Sequence, residues 1–242
     1  MSELLDRREV RIQRMFDEIA PTYDFLNHLL SAHVDKLWRK RVTKLVPLTH
    51  GRMLDLCTGT GDLAFAYHQR TQGQFPVIGG DFSAEMLGLA VKKAKKLGYP
   101  IPFVQCDAQH LPFEDNSFDL VSISFGLRNV TNFRQGLSEM LRVLKPGGKL
   151  AVLEFSKPKH WLMGRAYRAY FKFVLPTLGQ LVSRSKDRAY VYLPASTMEF
   201  PDGEELATIM RETGFDQVNF RPFTLGIATL YIGTKPETAT FQ

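Results

Sequence analysis

The sequence predicts an α/β fold of Rossmann-like type, built on a mostly parallel seven-stranded sheet that ends in an antiparallel strand. Three observations predict it. From Arg52 to Phe155 short apolar runs alternate with helical stretches, a pattern that calls for crossover connections and a parallel sheet. The glycine-rich stretch Asp55-Leu56-Cys57-Thr58-Gly59-Thr60-Gly61-Asp62 follows a buried strand and opens a helix. The two closing strands are separated only by Leu225-Gly226-Ile227, too short for a parallel crossover, so that pair must be antiparallel.

The elements follow in order. Residues 1–48 read as N-terminal helices forming a lid. Ile12, Met15, Phe16 and Ile19, then Leu26, Leu29, Leu30 and Leu37, recur at helical spacing around a break expected at Pro21. The first strand is MLDLC, followed by a helix from about Gly61, and PVIGGD by a helix from Ser83 to Leu97. IPFVQCD and FDLVSIS supply the third and fourth strands, and a helix from about Asn132 to Leu144 leads through Lys145-Pro146-Gly147-Gly148 into KLAVLEF. A basic, aromatic, helical insertion at 157–200 interrupts the alternation. A helix then opens near Asp202, with an aspartate cap and Glu205 three residues on, and stops at Gly214 before DQVNFRPFT and ATLYIGT. At 242 residues the chain suits a single domain, 1–242.

Composition narrows the class. With 44% hydrophobic and 23% charged residues the chain lies in the ordinary globular range. MSELLDRREVRIQRMFDE has no signal-peptide core, and no apolar run approaches the roughly 18 residues of a membrane span, so a cytoplasmic protein is expected, at most peripheral at the inner face of a membrane. Cys57 and Cys106 lack metal or disulfide spacing and read as reduced core residues, and no metal site is expected. His28, His33, His110 and His160 are scattered and read as surface or loop residues. The net charge of +6 resides in one segment, because Lys157 to Leu193 holds eight Lys/Arg against the single acid Asp187.

The glycine loop lets a ligand lie against the main chain at Gly59 and Gly61. Alone it fits a dinucleotide as well as S-adenosylmethionine (SAM), since Gly59, Gly61 and Ala64 satisfy GxGxxA spacing and Asp81 lies where it can accept from a ribose diol. Its neighbours favour SAM. Asp107, in Cys106-Asp107-Ala108, can accept from the adenine amine, and Asp55 and Asp62 add negative charge that suits a sulfonium and an ammonium better than a pyrophosphate. Phe82 beside Asp81 completes the expected cofactor set.

These pieces resemble the class I methyltransferases, and more narrowly the UbiE/MenG family of quinone-biosynthesis C-methyltransferases. The likeness rests on the run from Arg142 to Ser156, on Tyr23-Asp24-Phe25-Leu26-Asn27 through Ser31 to Trp38, and on Phe125-Gly126-Leu127-Arg128-Asn129-Val130-Thr131. It spans about Met15 to Lys235. Leu26, Asp35 and Asp107 depart from the usual Met, His and Asn. The resemblance implies SAM contacts at Thr60, Asp81, Asp107, Ala108 and Ser124, and methylation of a ring carbon on a prenylated hydroquinone.

Such chemistry needs a group that stabilises a phenolate, and Arg128, after the fourth strand at the sheet edge, is the catalytic candidate. An alternative role for Arg128 is pinning its own loop through backbone carbonyls. Tyr23, Asp24 and Asn27 are placed either to form part of the lid or to cap and pack the helices around Pro21. Between Trp161 and Leu175, Leu162, Ala166, Tyr170 and Phe173 share one helical face and Arg165, Arg168 and Lys172 another; this face can meet an anionic membrane, line the quinol pocket or form a homodimer contact. Competing readings are an NAD-dependent oxidoreductase, a SAM-binding regulator, and a methyltransferase acting on RNA or a small aromatic metabolite. No NPPY-type tetrapeptide or RNA-binding accessory domain is recognisable, so nucleic acid is not an expected partner.

Overall fold

The computed structural model describes residues 8–170, 173, 177 and 189–237, with the side chains of Leu162, Ala166 and Arg168 outside that description. Its sheet contains β1 (Met53–Leu56), β2 (Val77–Asp81), β3 (Phe103–Gln105), β4 (Phe118–Ser124), β5 (Leu144–Phe155), β6 (Asp216–Phe223) and β7 (Ala228–Thr234). The order is β3-β2-β1-β4-β5-β7-β6, parallel except that β7 runs antiparallel to both β5 and β6. The order reverses between β1 and β4, where open α/β sheets leave a crevice at the carboxyl ends of their strands.

Helices α3 (Asp62–Arg70), α4 (Ala84–Leu97), α5 (Phe133–Val143) and α8 (Glu204–Thr213) are the connections the alternation predicts. Ser83 caps α4 by accepting from Met86 N, and Asn132 caps α5 by accepting from Gln135 N. The cap expected at Asp202 does not form. Gly203 occupies that position without a side-chain bond, because Asp202 instead accepts from the Lys157 backbone N–H at 2.8 Å and holds the chain after β5.

The N-terminal region is α1 (Glu9–Leu30) and α2 (Val34–Leu45). The break expected at Pro21 is absent, since α1 runs straight through it and the turn falls at Ala32 and His33, both left-handed. Burial of Ile12, Met15, Ile19, Ala20 and Leu26 on one face outweighs the single backbone bond that proline removes. These residues form a separate apolar cluster with Met86, Tyr167 and residues of α7 (Ala189–Glu199), set apart from the two clusters on either face of the sheet. In α6 (Trp161–Ala169) Tyr167 is buried; of the apolar face named above, Tyr170 is half-buried and Phe173 exposed. Lys172 and Leu175 lie outside the described residues, as do 178–188.

Candidate active site

Two adjoining cavities open above the sheet reversal. The first, about 90 Å³, is walled by the ends of β1 to β4 and crossed by α1. Gly59, Asp81, Phe82, Asp107, Ala108 and Ser124 all line it, so six of the predicted residues converge. Gly59 adopts φ +57, which turns the loop back so that its N–H donates to Asp81 Oδ2 at 2.8 Å. Asp81 Oδ1 accepts from Ser83 N at 2.9 Å. Burial raises the Asp81 pKa against the backbone donors of Ser83, Gly59 and Phe82. Ser124 Oγ is buried without a partner.

Asp55, Thr60 and Gly61 do not line this cavity, contrary to expectation. Asp55 sits within β1, paired across the sheet with Ser122, and accepts from Ser122 Oγ at 2.5 Å and Thr58 Oγ1 at 2.7 Å. Burial pushes its pKa up to about 6, with both hydroxyls opposing the shift. Thr60 turns toward the helices, where its hydroxyl donates to Asp24 Oδ1 at 2.5 Å. Gly61, at φ +92, starts α3 under the Phe65 ring, leaving no room for a side chain.

Lys93 of α4 organises this outer layer. Its ammonium lies 2.8 Å from Asp24 Oδ2 and 2.7 Å from Asp62 Oδ1, tying α1 to the glycine loop. His28 is not a surface residue. Its side chain is largely buried, with Nδ1 2.8 Å from Asp35 Oδ2 and Nε2 3.6 Å from Asp62. Asp24, His28 and Asp62 are close enough to hold a metal ion, but Lys93 already supplies the cation between the two acids. The Cys57 and Cys106 thiols are held protonated by burial and then by Asp81 nearby, Cys106 up to about 12, and neither is a nucleophile.

The second cavity, about 340 Å³, is walled by α1, α2, α6, α7 and the ends of β4 and β5. Phe16, Tyr23, Phe125 and Asn129 belong to both cavities and form the partition between them. Trp38, Phe125 and Phe155 stack along one side with centroids 4.5–6.3 Å apart. Arg128 lines the second cavity and not the first. One nitrogen, Nη1, donates to Phe125 O at 2.6 Å and to Glu154 Oε1 at 2.7 Å, so the arginine does pin its loop. Its Nε is nevertheless buried without a partner, as are Asn129 Oδ1 and the Tyr190 hydroxyl. Tyr23, in the partition, feels the charges of Arg39 and Arg128. Burial raises its pKa, while Arg39 and Arg128 pull it down. Glu154, Lys93 and Tyr190 escaped sequence reasoning; the one available signal was an acid inside the apolar run of β5.

The lining of the first cavity matches SAM in chemistry: two carboxylates at strand ends, an unpaired serine hydroxyl and a loop closed by Gly59 offer acceptors to a cationic, ribose-bearing ligand. Among solved structures, a SAM-dependent methyltransferase of Thermotoga maritima, described as a possible histamine N-methyltransferase, shares the fold with a TM-score of 0.67 at 20% identity, covering 93% of this chain and 99% of that one. Sequence relatives are nearer. The ubiquinone/menaquinone biosynthesis C-methyltransferase UbiE of Geotalea daltonii is 44% identical over 97% of this chain and 100% of its own length. The demethylmenaquinone methyltransferase of Deinococcus radiodurans is 46% identical over 93% and 92%. A profile of the ubiE/COQ5 methyltransferase family matches residues 4–235. With a cavity of this chemistry at the sheet reversal and this match over nearly its whole length, the chain belongs to the ubiE/COQ5 methyltransferase family and is a SAM-dependent methyltransferase.

Proposed function

We propose that this enzyme methylates a ring carbon of a prenylated hydroquinone of the demethylmenaquinol type. One observation carries the reading: beside the donor cavity lies an apolar cavity whose buried end holds three polar atoms without partners, Arg128 Nε, Asn129 Oδ1 and Tyr190 OH. Unpaired buried polar groups cost about 1–3 kcal/mol each, so they mark where a ligand's oxygens belong. An aromatic ring bearing hydroxyls matches both the apolar walls and those atoms. The names of the relatives, C-methyltransferase and demethylmenaquinone methyltransferase, point to the same acceptor.

When bound, SAM would supply an electrophilic methyl group. The protein's task is to make a ring carbon nucleophilic and to aim it. Arg128 cannot accept a proton, but its fixed charge in an apolar cavity lowers the pKa of the substrate hydroxyl and stabilises the phenolate that activates the adjacent carbon. Glu154, only 1% exposed, and the face of Phe155, 5.3 Å from the guanidinium carbon, hold that charge in place. Helix α1 contributes side chains to the walls of both cavities and to the partition between them, which shields the reacting groups from water there.

The test is to supply reduced naphthoquinol and benzoquinol acceptors with labelled SAM and locate the label. Carbon-methylated naphthoquinol is the expected product, and absence of label from both acceptors overturns the reading. In Arg128→Ala, turnover should fall on the order of 10²-fold while SAM affinity stays within about two-fold. Full turnover in that variant removes Arg128 from the chemistry.

A further inference from the structure

The acceptor cavity has a buried end and an open one. Phe125, Arg128 and Asn129 at one end are each less than a tenth exposed, whereas at the other Leu30, Val34, Tyr170 and Ile227 are half-buried and Thr224 is exposed. Hydrogen bonds set this open rim. Trp38 Nε1 donates to Thr224 Oγ1 at 2.8 Å, joining α2 to the turn Thr224–Gly226, and Tyr170 OH donates to Leu30 O at 2.7 Å.

Each of these rim elements carries a large apolar side chain that is exposed although it neighbours a lining residue. Leu29 beside Leu30 is 53% exposed, Leu37 beside Trp38 63%, and Leu225 beside Thr224 67%. Single exposed leucines are ordinary, but three around one apolar mouth mark an interaction surface. The exposed charges of α2 have one sign. Lys36, Lys40, Arg41 and Lys44 are exposed along α2, and the only acid of the helix, Asp35, is buried against Arg39 and His28. The face of α2 turned to solvent therefore carries four cations and no carboxylate.

We propose that α2 and the Thr224–Gly226 turn form a docking surface for an anionic lipid bilayer, which sets the mouth of the acceptor cavity against the membrane. Leucines flanked by lysines suit the headgroup layer, since the apolar tips enter the acyl boundary while each lysine stem follows the apolar part and keeps its ammonium among the phosphates. A prenyl tail can then stay in lipid while its ring enters the protein. That last step rests on the quinol reading; the surface itself rests on charge and exposure.

The test uses the full chain with vesicles of phosphatidylcholine alone or with about a third phosphatidylglycerol. The chain should float with the anionic vesicles at low salt and be released by salt. Lys36→Gln/Lys40→Gln/Lys44→Gln should weaken partitioning about 100-fold, at roughly five-fold per lysine. Removing the same charge from α4, as Lys92→Gln/Lys95→Gln/Lys96→Gln, should change it far less. Leu37→Ser/Leu225→Ser should also reduce binding without altering SAM affinity or turnover of a short-tailed, water-soluble quinol.

Equal loss in the α2 and α4 variants, or no binding to anionic vesicles, overturns the proposal. So does a dimer in solution that the Leu37→Ser/Leu225→Ser variant abolishes without affecting vesicle binding, because the face is then a protein interface. Vesicle binding without methylation of any quinol defeats the quinol reading and leaves the docking surface standing; methylation of soluble quinol without vesicle binding does the reverse.

Discussion

At Gly126 the donor cavity depends on an absent side chain. A methyl group there would lie 2.3 Å from Cys57 Cβ, where the loop after β4 meets the loop after β1. Both loops are already bent, with Cys57 at φ +48 and Phe125 at φ +58. Neither can yield cheaply, because Phe125 belongs to the partition and Cys57 lies between Leu56 and the glycine loop. Gly126→Ala is therefore expected to cost about 1–3 kcal/mol of stability and to weaken SAM binding more than ten-fold, read by urea unfolding and calorimetric titration. Unchanged SAM affinity would show that the loops separate freely. Residue by residue, the placement of Asp81 at the end of β2 and Asp107 just past β3 was legible because carboxyl ends of parallel strands face the crevice. Asp55 and Thr60 were not, because their side chains answer to Ser122 and Asp24, partners that only the folded chain brings near.

Helix α1 separates local signal from tertiary outcome at the next scale. Its apolar spacing announced a helix, and proline within it suggested two. Packing against α4 and α7 made it one, with side chains in the walls of both cavities. Lys93 is the clamp that holds its middle, and a half-exposed ion pair of this kind is worth at most about 1 kcal/mol. Lys93→Gln should raise amide exchange in the central turns of α1 by about five-fold and weaken SAM binding by a similar factor, with Lys93→Arg restoring most of both. Hydrogen exchange with and without SAM measures this, and no change in α1 would assign its placement to the apolar contacts alone. The insertion after β5 was legible as basic and aromatic. That Tyr167 and Tyr190 turn inward to wall the acceptor cavity was not, since helical spacing alone does not say which face finds a neighbour.

Across the whole molecule, one buried acid couples stability to pH. Asp55 is raised from its ordinary value of 3.8 to about 6, so the folded chain holds this proton more tightly than the unfolded one. The contribution is present below about pH 4 and is lost as pH rises to about 6, on the order of 3 kcal/mol at roughly 1.4 kcal/mol per pH unit. Asp55→Asn should remove that slope. Urea unfolding at pH 4.5 and pH 7 should show the variant gaining on the parent at the higher pH, and parallel pH dependences would place the ionisation elsewhere.

The alternation of strands and helices, the direction of the final pair and the acids at strand ends were determined by the sequence itself, because hydrophobic period, loop length and glycine placement act over a few residues. Tertiary structure alone decided that a second cavity lies beside the donor, that Arg128 enters it while anchored to Glu154, and that α2 turns four cations outward at its mouth. The second cavity and its mouth depend on contacts between segments more than a hundred residues apart, Trp38 with Thr224 and Leu30 with Tyr170, which no local pattern specifies.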